Sequence, residues 1–153
     1  MTTPAPKPVN TIHATWRGKS EFDAGRATAP PTHVDGKAQA GQSPPDLLLN
    51  ALATCSGLDV LDYLVKRRTP ADTFAVDVVG ERRATHPRRF MTIECTFQMT
   101  GAGIERAQAE RAVALSFEKY CTVAASLAPD IVVHATVVLN GEHGERLRQT
   151  LGP

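Results

Sequence analysis

The sequence lacks an excess of charge of either sign, with 17 Lys and Arg against 16 Asp and Glu. That excludes a protein that works by neutralising nucleic-acid phosphates, because such a protein carries a strongly basic face. No uninterrupted apolar run approaches the ~20 residues of a membrane span. The opening "MTTPAPKPVN" has no apolar core of a secretory signal and reads as a flexible tail over residues 1–10. Cysteine is scarce. Cys55, Cys95 and Cys121 form an odd, widely spaced set with no CxxC pair and no Cys/His cluster. This excludes a dense secreted disulfide framework and the ligand spacing of a zinc finger. The expectation is one domain over residues 11–141, cytoplasmic and reduced, followed by a polar C-terminal tail over 142–153.

Periodicity supplies the elements. "TIHATW", an "RGK" turn and "SEFDAGR" predict a first hairpin. Residues 27–41 hold Pro and Gly without a period and predict a loop with a short strand near Val34. In "SPPDLLLNALATC", Ser43 is a helix N-cap, Pro44 and Pro45 suit the first turn, and Asp46 completes an S-x-x-D capping box. This helix is expected to run to about Arg68, with Lys66, Arg67 and Arg68 favouring its C-terminal dipole. It is apolar almost all round, as a buried helix is.

Strands are expected at "TFAVDVVGERR" and "RFMTIECTFQMTG". In the second, Met91, Ile93, Cys95, Phe97 and Met99 alternate with polar residues. A second helix is expected from about Gly103 to Leu127, and a last strand puts Ile131, Val133, Ala135, Val137 and Leu139 on one face. Strand runs broken by two helices predict an α+β fold.

Cys95, mid-strand on the apolar face, is explained by packing. Cys55 and Cys121 sit in helical stretches of small residues, "ALATCSG" and "EKYCTVAAS". Burial as inert thiols and chemistry are both open for them. A thiolate at Cys55 lies too far from the helix start to gain from the dipole, so it needs a nearby cation.

The two cysteine segments, "SPPDLLLNALATCSGLDV" and "LSFEKYCTVAASL", resemble the first and second cysteine helices of the OsmC/Ohr superfamily, in the right order. "GERRATHPRRFMTIECTFQMTG" is similar to the strand pair that joins them. The resemblance spans about residues 12–140. It implies an OsmC-like fold with antiparallel sheets around two long central helices, assembled as an intertwined homodimer with active sites at the interface. It also implies reduction of organic hydroperoxides without a cofactor or metal, and defence against oxidative stress. Cys55 would be the peroxidatic thiol and Cys121 the resolving one. An external dithiol, of lipoyl type or another thiol, would restore them; no nucleic acid or membrane takes part.

Two positions depart from the family pattern. Pro45 stands where the best-studied members carry a Glu, with the acid one residue later at Asp46, which matches a divergent branch and equally serves the helix cap. The thiolate-holding Arg expected after the W-x-G turn is replaced by Glu21 and Phe22, which leaves Arg17, Lys19 and Arg26 as substitutes. These departures keep a second class open, a small-molecule-binding protein of the same fold without efficient turnover. A third is a purely structural dimer.

Overall fold

Gly18 (φ 108°) and Lys19 (φ 48°) adopt left-handed backbone. There the chain folds β1 (His13–Gly18) back onto β2 (Glu21–Gly25), and β3 (Thr32–Asp35) adds to β2, both pairings antiparallel. The computed structural model describes residues 5 and 7–152, so the tail expected over residues 1–10 lies partly outside the described residues. The expected single domain divides between Leu47 and Leu48 into two compact units. The division has a simple cause: β1–β3 form a three-stranded sheet of their own, and the strands after Leu48 form another.

In the N-terminal unit, Asp35 organises the turn after β3. Its carboxylate accepts from the Ser20 hydroxyl and from the N–H groups of Lys37, Gln39 and Ala40. These bonds, led by Ser20, hold its pKa far below the ordinary carboxylate range. On the sheet, Asp23 accepts from Arg17 Nε at 2.6 Å and pairs with His33 Nδ1 at 2.9 Å, while Glu21 stands 3.4 Å from His33 Nε2. The bond to Asp23 raises the His33 pKa. A raised histidine stabilises fully below its unfolded pKa of about 6.5. That contribution fades as pH rises through the folded value. The His33 ring resonances should therefore titrate above the ordinary histidine value in an NMR pH series, and Asp23→Asn should bring the midpoint down. An unchanged midpoint in the variant would refute the assignment.

Helix α1 (Pro44–Lys66) starts as its sequence dictates. The Asp46 carboxylate accepts from Ser43 N–H at 2.9 Å and from the Ser43 hydroxyl at 2.6 Å, so the capping box forms. It ends two residues earlier than expected. Arg68 takes φ 62°, and Thr69 N–H donates to Leu64 O at 3.0 Å, the reversal that satisfies terminal carbonyls. Its 23 residues and mean hydropathy of 1.3 would suffice to cross a bilayer by length and composition, although no unbroken apolar run of that length exists. Leu52, Ser56, Gly57, Val60 and Leu64 are instead buried. Gly57 permits the approach to the sheet, since a Cβ there would stand 3.1 Å from the Phe74 ring and 3.4 Å from Val76.

The C-terminal unit's sheet runs β4 (Thr73–Arg82), β5 (Phe90–Thr100), β6 (Val132–Leu139) and β7 (Glu142–His143), with β8 (Leu147–Arg148) also on β6. The alternation in β5 holds from Ile93 to Met99, all buried, but Met91 is 37% exposed and Phe90 is buried instead. A register shift between Glu81 and Arg82 causes this, because one extra residue turns the side chains over. Two expectations are corrected. The β5–β6 pair is parallel within an otherwise antiparallel arrangement, because the helical segment carries the chain back before β6 starts. The C-terminal stretch expected as a tail pairs with β6, since an open strand edge offers backbone partners whatever the side-chain polarity.

The second helix is not continuous. Helix α2 (Arg106–Leu115) buries Ala109, Ala112 and Val113, then widens into a π-helical turn, Ser116–Tyr120. Cys121 is extended, and a single turn, α3 (Thr122–Ala125), follows. The fold is α+β, and its second helical run changes from α to π before it breaks at Cys121.

Candidate active site

Three side chains of the C-terminal unit converge on one spot. On α1, Cys55 and Asp59 are one turn apart and so share a face. The third member comes from the π-turn. Its closing bond, Cys121 N–H to Ser116 O at 2.8 Å, fits an extra residue between the buried Ser116 and Cys121. Such single widened turns are frequent at functional sites. As a result the sulfurs of Cys55 and Cys121 and a carboxylate oxygen of Asp59 all lie within 4.8 Å of one another.

The two thiols are unlike. Cys55 is half-buried and Cys121 fully buried, and both are free, as is Cys95. Burial pushes the Cys121 thiol up to about 12; the Ala124 N–H, which donates to its sulfur at 3.3 Å, opposes the shift, and the neighbouring Cys55 adds to it. Cys95 is also pushed to about 12, by burial first. It faces the core from mid-β5, as the alternation predicts. Asp59 is tied down from behind: the buried Ser116 hydroxyl donates to its Oδ2 at 2.8 Å.

Cys55 and Cys121, the two thiols expected from the sequence, meet. Asp59 and Ser116 are not among the expected residues. The first was findable as the acid four residues after Cys55; the second depends on the π-turn, which no 3.6-residue period reveals. The candidate supports belong to the N-terminal unit. There Arg17 pairs with Asp23, Arg26 donates to Asn10 at 2.7 Å, and Asp46 caps α1.

A two-cysteine α+β unit with this order of elements defines a class. The chain belongs to the OsmC-like protein family, whose model matches residues 35–136. It is 41% identical over 85 residues to Protein YhfA of Escherichia coli K12, a match covering 56% of this chain and 63% of that one. The chain therefore spans less than two thirds of the curated relative's length. A hypothetical protein of Aquifex aeolicus shares 26% identity at TM-score 0.76, over 88% of this chain and 99% of that one. An organic hydroperoxide resistance protein, OsmC of Legionella pneumophila, shares the fold at 15% identity and TM-score 0.62, over 86% and 98% of the two chains.

Proposed function

We propose that the protein is a cysteine-based peroxidase for organic hydroperoxides, acting in oxidative-stress defence. The observation that carries this reading is the meeting of two sequence-remote sulfurs, one reachable and one buried, within 4.8 Å. The Cys55 thiolate attacks the distal peroxide oxygen and the O–O bond breaks. The alkoxide leaves as the alcohol with a proton, and Cys55 becomes a sulfenic acid. The Cys121 thiol then displaces the sulfenic oxygen as water, forming a disulfide. An external dithiol reduces it by exchange, becoming oxidised itself. The proposal includes a reducing cytoplasm, where dithiols of this kind are kept reduced.

The same reading includes a homodimer. On α1, Leu48, Leu58 and Val65 are 40%, 66% and 62% exposed. Beside them runs an apolar groove of about 460 Å³, lined by Thr54, Leu58, Leu61, Phe74 and Val76. A second chain covering this face would remove that hydrocarbon from water.

Titration of the reduced chain tests the chemistry. One equivalent of cumene hydroperoxide should consume two thiols, and peptide mapping should find Cys55 joined to Cys121 with Cys95 free. Three surviving thiols, or a disulfide containing Cys95, would refute it. One observation favours the second reading, a binding protein without turnover: the charged group gathered with the thiols is a carboxylate, opposite in sign to the cation that stabilises a thiolate. That reading expects three surviving thiols.

A further inference from the structure

We propose that Cys55, Asp59 and Cys121 bind one thiolate-seeking divalent cation of the zinc class, and that the bound ion shields the thiols from peroxide. Two sulfurs and one carboxylate oxygen are a mixed donor set that suits zinc rather than magnesium or calcium, which prefer oxygen alone. The size fits as well. Tetrahedral bonds of about 2.0–2.3 Å set ligand atoms about 3.3–3.8 Å apart. The three donors here already lie within 4.8 Å of one another.

The donor arrangement is built rather than incidental. Asp59 is held by the Ser116 hydroxyl at 2.8 Å, the outer-shell bond that fixes a ligand's orientation. A cleft of about 170 Å³, with Asp59, Tyr63, Lys66 and Tyr120 in its wall, leads to the carboxylate from solvent. Water would complete the fourth position. No zinc-finger spacing is visible in the sequence because the ligands come from α1 and from the far end of the π-turn.

Binding moves protons and no electrons: two thiols lose two protons to solvent and the cation joins two thiolates. Oxidation competes with it. Once the cation has left and two protons have returned, a hydroperoxide converts the two thiols into the disulfide, an alcohol and water. The binding stands on geometry, whereas the shielding rests on the peroxidase reading proposed above.

The full reduced chain should be titrated with Cd²⁺ and Zn²⁺ without peroxide, against a chromogenic chelator. We expect one ion per chain and an ultraviolet thiolate-to-cadmium absorption. Asp59→Asn, nearly isosteric, should weaken binding about tenfold or more, and Ser116→Ala about 10–100-fold. Cys95→Ser should bind like the parent. An absent absorption band, or unchanged affinity in Asp59→Asn, would overturn the site. Hydroperoxide consumption, measured separately with the ion chelated, distinguishes the two failures. Binding without consumption sinks only the peroxidase, and consumption without binding sinks only the metal site.

Discussion

The Cys55→Ser variant is expected to consume no hydroperoxide, and Cys121→Ser to stop after a single turnover with a sulfenic acid trapped at Cys55. The difference follows from the environments of the two sulfurs. Cys55 is the partly exposed member of the pair, and the hydroxyl of serine is too weak a nucleophile to replace a thiolate on a peroxide. Cys121 is buried and its thiol is held protonated by that burial, so it serves only a partner already oxidised beside it. Cys95 cannot substitute for Cys55, because it is buried in the core and pushed to about 12. A chromogenic assay with a sulfenic-acid trap separates the cases. Undiminished consumption by Cys55→Ser would end the peroxidase reading, and a lasting disulfide in Cys121→Ser would remove the resolving role.

The largest expected effect on stability is at Phe97. Its ring lies 6.4 Å from that of Phe74 and 6.2 Å, edge to face, from that of Phe117. It is wholly inaccessible to solvent. Phe97→Ala should cost about 3–5 kcal/mol, the transfer loss plus the cavity left behind. Against a total of about 5–15 kcal/mol, that is a large share of the folding free energy. Urea unfolding followed by circular dichroism gives the value, and a loss below about 1 kcal/mol would contradict the packing described. Phe117 belongs to the π-turn before Cys121. The substitution should therefore also slow disulfide formation, because the turn loses the surface that holds it.

The elements legible from sequence are those in which a local rule and the tertiary environment agree. Ser43 and Asp46 announce the start of α1 and form the box there. Ile93 through Met99 alternate and are buried alternately. The failures have physical causes that no local pattern carries. Met91 is turned outward because it is the extra residue of a bulge: Glu81 and Arg82 are consecutive on β4 but pair with Thr92 and Phe90, passing over Met91. The widening after Leu115 is hidden because Ala109, Ala112, Val113, Ser116 and Phe117 keep a helical period, and the helix breaks only at Cys121. Glu142 and Leu147 head short strands whose pairing depends on an edge supplied by β6. The site divides the same way. The cysteines stand out by type, whereas Ser116 gains its role only when the backbone brings it to Asp59.

The parallel pairing of β5 with β6, Thr92 to Val132 through Met99 to Leu139, bears on biosynthesis. The β4–β5 hairpin is local and can close as soon as it leaves the ribosome. The β6 strand cannot dock until the whole intervening crossover has been made, and distant closures of this kind are slow. Both sulfurs of the pair are therefore translated before β6 arrives. A nascent chain carries them unpartnered, which makes the redox state of its surroundings during synthesis a condition for correct assembly.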